Sequence, residues 1–95
     1  MDETAEIPEA NFISLVLFFA TIATQHLGLV KNPLSDKVEK NIELAKYTID
    51  SLDILKTKTK GNLTEEEREV LENILSDLKL AYVRAGKEQS NTTTP

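Results

Sequence analysis

The chain lacks cysteine and tryptophan entirely, and its 95 residues include one histidine, one methionine, three glycines and three prolines. Without cysteine there is no disulfide framework, no thiolate nucleophile and no cysteine-ligated zinc or iron–sulfur centre. The core must hold by packing alone. Basic residues are scarce as well: 11 Lys and Arg stand against 16 Asp and Glu, a net charge of -5 at pH 7. Affinity for phosphate backbones comes from clustered Lys and Arg, so a nucleic-acid partner is not expected. A chain of this length forms one domain at most and is too short for a Rossmann, barrel or kinase catalytic unit. It has no Gly-rich phosphate loop, nucleophile elbow, Glu-x-x-His pair, EF-hand loop or His-Glu-x-x-His. The expectation is a non-enzymatic protein with no catalytic, cofactor-binding or metal-binding residues.

What is present divides into three parts. Residues 1–10 carry Asp2, Glu3, Glu6 and Glu9, no basic residue, and Pro8, which reads as a disordered acidic arm. Residues 86–95 are polar and read as a disordered tail. Residues 11–85 carry three stretches of helical periodicity and no strand alternation, so the fold class is all-α, a small three-helix domain. The first helix runs from about Phe12 to Leu27, with Asn11 as N-cap and Gly28 closing it in a left-handed conformation. Asn32-Pro33 marks a turn, and the loop from there to about Lys40 has little apolar content. The second helix starts near Asn41 or Ile42, with Asp36 as an earlier possible start, and stops before Gly61. Lys56, Lys58 and Lys60 fall in its last turns, where cations complement the exposed carbonyls. Thr64 and Glu67 fit the capping-box pattern at the head of the third helix, which runs to about Arg84 and ends at Gly86. The short link between helices two and three predicts an antiparallel hairpin of two helices each about 27 to 30 Å long.

The apolar faces differ between the helices. On helix three Val70, Leu71, Ile74, Leu75, Leu78, Ala81, Tyr82 and Ala85 form one arc, and Leu80 and Val83 project from the polar side. Helix two has one row of Ile42, Ala45, Ile49 and Leu52 and a second row of Leu44, Tyr47, Ser51 and Ile54 or Leu55, which implies two neighbours. Its solvent strip is Glu43, Lys46, Asp50 and Asp53. Helix one is apolar almost all round, with polar residues only on a wedge of Ser14, Thr21, Thr24 and Gln25. The hairpin can cover one side of such a helix, so the surplus implies a further partner.

A membrane span is not expected. The uninterrupted apolar run from Leu15 to Ala20 is short, and the whole apolar stretch is below the roughly 20 residues that a span requires. The acidic flank also lacks the basic residues of a signal peptide, so the protein is expected in the cytoplasm. Self-association is the favoured use of helix one, with C2 as the default arrangement and a protein partner as a further possibility. The candidate interaction residues are Phe12, Leu15, Phe18, Phe19, Ile22 and His26 of helix one with Leu80 and Val83 of helix three. Two alternatives use the same helix: a small-ligand site built from Thr21, Thr24, Gln25 and His26, and peripheral association with a membrane.

The single residues favour ordinary roles. His26 lies in the last turn of helix one, where a ring nitrogen donates to a helix carbonyl, and no sequence pattern orients it as a base. The acids Glu65, Glu66, Glu67, Glu69 and Glu72 are explained by the dipole of the helix they open. Lys56, Lys58 and Lys60 sit at the wrong end of a helix dipole to attract an anion.

The string Lys58-Thr59-Lys60-Gly61-Asn62-Leu63-Thr64, followed by Glu67, resembles the signature of a small bacterial family of uncharacterised proteins, domain of unknown function 1844. His26-Leu27-Gly28 with Asn32-Pro33, Ile49-Asp50 with Leu52, and Tyr82-Val83 support the resemblance, which spans roughly residues 12–83. It implies a small helical bacterial protein with no assigned activity and no catalytic residues to transfer. Lys79 departs from the Arg that relatives often carry, which puts in doubt any bidentate role there. The resemblance draws attention to His26 and to the junction, where capping accounts for Gly61 and Thr64 but leaves Lys58, Lys60 and Asn62 less constrained.

Overall fold

The computed structural model describes the backbone of residues 9–93 and the side chains of residues 9–87. Residues 1–8 of the acidic arm lie outside it. Three helices follow one another: α1 (Phe12–His26), α2 (Ile42–Lys58) and α3 (Glu65–Thr93). No strand occurs among the described residues, where the only β feature is an isolated bridge between Asn32 and Lys37. Each helix packs against both others, and α2 and α3 form the antiparallel hairpin.

The helix ends follow from their local chemistry. Asn11 accepts from the Ser14 amide at 2.9 Å while the Ser14 hydroxyl accepts from the Asn11 amide at 2.9 Å, a full capping box where the sequence pattern predicts only the N-cap. At the other end of α1, Gly28 takes φ +83, the Gly28 amide donates to Gln25 at 3.0 Å and the Leu29 amide to Thr24 at 3.2 Å. Those are the two bonds of a Schellman closure. Asn41 caps α2 by accepting from the Leu44 amide at 3.1 Å, which excludes the earlier start at Asp36. Between α2 and α3, Asn62 donates to the Thr59 carbonyl at 2.8 Å around a turn whose third residue, Gly61, has φ +86. The Thr64–Glu67 box is complete, with the Thr64 amide on Glu67 Oε1 at 2.9 Å and the Glu67 amide on Thr64 Oγ1 at 3.1 Å.

One boundary departs from expectation. α3 does not stop at Gly86 but continues to Thr93, so the tail assigned to residues 86–95 is helical through Thr93. Gly86 is not among the glycines with positive φ, so no left-handed residue closes the helix there. A lone helical glycine costs only about 1 kcal/mol relative to alanine, and the next proline is Pro95. As a result α3 has 29 residues against 17 in α2, and the two arms of the hairpin do not match in length.

The core comprises Val16, Ala23 and Leu27 from α1 and its cap, Ala45, Ile49 and Leu52 from α2, and Leu71, Leu75, Leu78 and Ala85 from α3. The helix-three arc is buried or half-buried throughout. On α2 the first row is buried or half-buried, while the second row divides: Leu44, Tyr47 and Ile54 are exposed, Tyr47 at 71% and Ile54 at 60%, whereas Ser51 is half-buried and Leu55 packs against the core. Thr48 joins the first row, buried because its hydroxyl donates to the Leu44 carbonyl at 2.9 Å. The Cα extents are 48 × 39 × 16 Å, and 16 Å is the depth of two helices packed 8–10 Å apart. Among the described residues, a fold only two helices deep leaves one side of α1 uncovered.

Candidate functional site

The uncovered side of α1 follows from helical geometry. Val16, Ala23 and Leu27 point into the core, so at 100° per residue Leu15 and Leu17 fall on its two flanks and Phe18 on the far side. Leu15, Leu17 and Phe18 are 42%, 48% and 62% exposed. The Phe18 ring meets Phe19 edge-on, with centroids 6.1 Å apart. Phe12 and Phe19 are half-buried against the core cluster, and Ile22 and His26 are half-buried too. Leu80 and Val83 are exposed on α3. Val83 borders a depression between α2 and α3, beside Ile49, Lys79 and Tyr82. Of the eight residues assigned to interaction, Leu15, Phe18, Leu80 and Val83 are therefore presented outward, while Phe12 and Phe19 mainly hold α1 to its own hairpin. Leu17, Leu44, Tyr47 and Ile54 are exposed apolar residues outside that set.

The polar wedge of α1 is engaged by its own backbone. Thr21 donates to the Leu17 carbonyl at 2.9 Å and Thr24 to the Ala20 carbonyl at 2.6 Å. His26 Nδ1 lies 3.0 Å from the Ile22 carbonyl oxygen, the helix-carbonyl contact that its position implies. The His26 carbonyl in turn accepts the Asn41 amide at 2.8 Å and so fastens the start of α2 to the end of α1.

The α1–α2 connection is built around Asn32. Its side chain accepts from the Leu34 amide at 2.9 Å, its carbonyl accepts from the Asp36 amide at 2.7 Å, and its Nδ2 donates to Glu39 Oε1 at 2.9 Å. Asp36 completes the turn with φ 58. The bond from Asn32 is the main cause holding the Glu39 carboxyl below its ordinary value, with Ser35 next and the His26 ring adding a small electrostatic pull. Leu34 and Val38, in this loop, are both exposed.

A fourth feature does not follow from the sequence pattern. Between the C-terminal half of α2 and the N-terminal half of α3 lies a groove of about 600 Å³. It is lined by the half-buried Leu63 with the core residue Leu71 behind it, by Lys56 on α2, by Lys60 in the turn after α2 and by Arg68 on α3. Arg68 donates to Glu72 Oε1 at 2.9 Å and pairs with Glu65, and these bonds, Glu65 first, raise the guanidinium pKa above its ordinary value. Asp53, at the far end, is held by Lys79, whose Nζ lies 3.1 Å from Oδ1 and 2.9 Å from Oδ2. The lysine thus binds as a point charge where an arginine would fork. Lys56 and Lys60 have no ion-pair partner among the described residues. Their closeness in the chain is legible in the sequence, but their meeting with Arg68 and Leu71 across the groove is not.

Among the described residues no three or more His, Asp or Glu side chains are grouped so as to hold a metal ion. No helix among them is long and apolar enough to cross a membrane. No curated protein and no solved structure matches the chain. The model of the family described as Domain of unknown function (DUF1844) matches residues 9–84, from the lead-in of α1 to the last core turn of α3, and the chain belongs to that family.

Proposed function

We propose that this protein is a non-enzymatic helical interaction module of the cytoplasm that self-associates through α1. The observation that carries the reading is the outward side of α1, where Leu15, Leu17 and Phe18 are exposed although α1 packs on both helices of its own hairpin. Folding of the single chain buries one side of an almost wholly apolar helix, and a second copy placed on the other side completes that burial. A two-fold arrangement brings the same face from each copy together, with Phe18 at its centre, so one sequence feature serves both halves of the interface. The acidic residues ahead of α1, with no basic residue among them, support a protein partner over an anionic lipid surface.

Light scattering coupled to size-exclusion chromatography across the micromolar range tests the reading. The expected result is a mass that is a multiple of the chain mass and falls toward the monomer in Phe18→Glu, with the far-UV circular dichroism of the variant unchanged. A wild-type monomer at every concentration refutes it. If α1 instead meets lipid, the chain remains monomeric and floats with liposomes.

A further inference from the structure

We propose that the groove between α2 and α3 is a binding site for a small amphiphilic monoanion, a carboxylate on an apolar body of medium length. The proposal stands on residues remote from the α1 face and is independent of the self-association reading.

The charges around the groove sort themselves into paired and unpaired. Asp53 is held by Lys79, and Glu72 and Glu65 share the one Arg68, so each of these three acids has a basic partner although only two bases serve them. Lys56 on α2 and Lys60 in the turn that follows it also line the groove without an ion-pair partner among the described residues, and with them the charged groups named here carry a net charge of +1. In a chain of net charge -5, that is a local reversal of sign. The half-buried Leu63 and the aliphatic stems of Lys56 and Lys60 offer the body of a ligand a surface to bury, and the Lys56 and Lys60 ammonium groups offer its head charge-assisted hydrogen bonds. About 600 Å³ lies within the range of ordinary small-molecule pockets, which are mostly apolar with a few placed polar groups.

The dipole objection raised by the position of these lysines weakens in the folded hairpin. The negative end of α2 lies beside the positive end of α3, whose first turn opens at Glu65, so the two helix termini oppose one another at the groove. The open side is at Gly61, where a methyl group added to the Cα would meet nothing within 4 Å. A cationic head would face Lys56, Lys60 and acids that already have basic partners, and a neutral head would forgo the lysines, which is why the carboxylate is favoured.

The test titrates the full ¹⁵N-labelled chain with octanoate, octylammonium and octanol at matched millimolar concentrations and follows the backbone amides. The expected result is saturable shifts with octanoate at Gly61, Asn62, Leu63, Arg68 and Leu71, with affinity at least about tenfold above that of the other two probes. In the double variant Lys56→Gln and Lys60→Gln, octanoate affinity falls by about tenfold or more while the melting temperature holds, since both side chains are exposed. Equal affinity for the three probes, undiminished affinity in the double variant, or absence of saturable binding overturns the proposal. So do shifts confined to Leu15, Leu17 and Phe18, which would report a greasy α1 surface in place of a groove.

Discussion

Replacing Leu52 by alanine tests whether a two-layer arrangement of three helices has a real core at its centre. Leu52 is fully buried, on the arc of α2 that belongs to the core shared with α1 and α3. The substitution removes three carbons, worth roughly 2.4 kcal/mol at about 0.8 kcal/mol per buried carbon. The cavity left behind adds to this, because helices pinned by caps at both ends relax only partially. The total cost should be about 3 to 4 kcal/mol, within the usual range for a buried leucine. In a domain of this size each kcal/mol moves the melting temperature by about 4–8 °C, so the midpoint should drop by more than about 10 °C. Urea unfolding followed by circular dichroism, with the slope of the transition unchanged, provides the free energy. Leu34→Ala is the control, since that side chain is almost wholly exposed and its loss should cost under about 0.5 kcal/mol. Both variants must be compared at one protein concentration, because association adds to apparent stability. A cost for Leu52→Ala below about 1 kcal/mol, or equal costs for the two variants, would refute this account of the core.

Glycines 28 and 86 should respond to alanine with opposite signs. Gly28→Ala forces a side chain into φ +83 and places its Cβ 3.3 Å from the Lys40 side chain, so thermal unfolding should show a loss of about 1 kcal/mol or more. Gly86→Ala enters a helix with open space around it and should gain about 0.4–1 kcal/mol; a loss there would mean that α3 ends at Gly86 after all. Thr64→Ala removes the hydroxyl that accepts the Glu67 amide and should cost about 1 kcal/mol in chemical denaturation, whereas Glu69→Ala should cost little. Because the Glu39 carboxyl is depressed in the folded state, its contribution to stability is present above the unfolded carboxylate pKa and is lost as pH falls through the folded value. Asn32→Ala should therefore raise the Glu39 pKa in an NMR titration, and an unchanged value would show that the bond from Asn32 is not its cause.

Much of the local structure is legible in the sequence because its causes are local. Asn11, Asn41, Thr64 and Glu67 cap the helices they precede or open, and a cap is decided within four residues of chain. Gly28 and Gly61 take positive φ for the same kind of reason. The α3 arc is legible too, since a single helix packed on one side imposes the 3.6-residue period on its own sequence. Gly86 misleads because glycine marks an end only when the chain around it adopts the left-handed closure, and a helix tolerates it otherwise.

The sequence alone thus determined an all-helical chain, its capped ends, the antiparallel hairpin and an apolar excess on α1, because propensity, capping and periodicity act over a few residues at a time. Only the tertiary structure decided which apolar residues remain outside. Phe12 and Phe19 went to the core while Leu15 and Phe18 did not, and Leu44, Tyr47 and Ile54 of α2 stayed exposed. It also decided that Lys56 and Lys60 meet Arg68 and Leu71 across one groove, since that meeting depends on how two helices lie against each other. Rotation and packing distance are set jointly by all three helices, and no single segment carries that information.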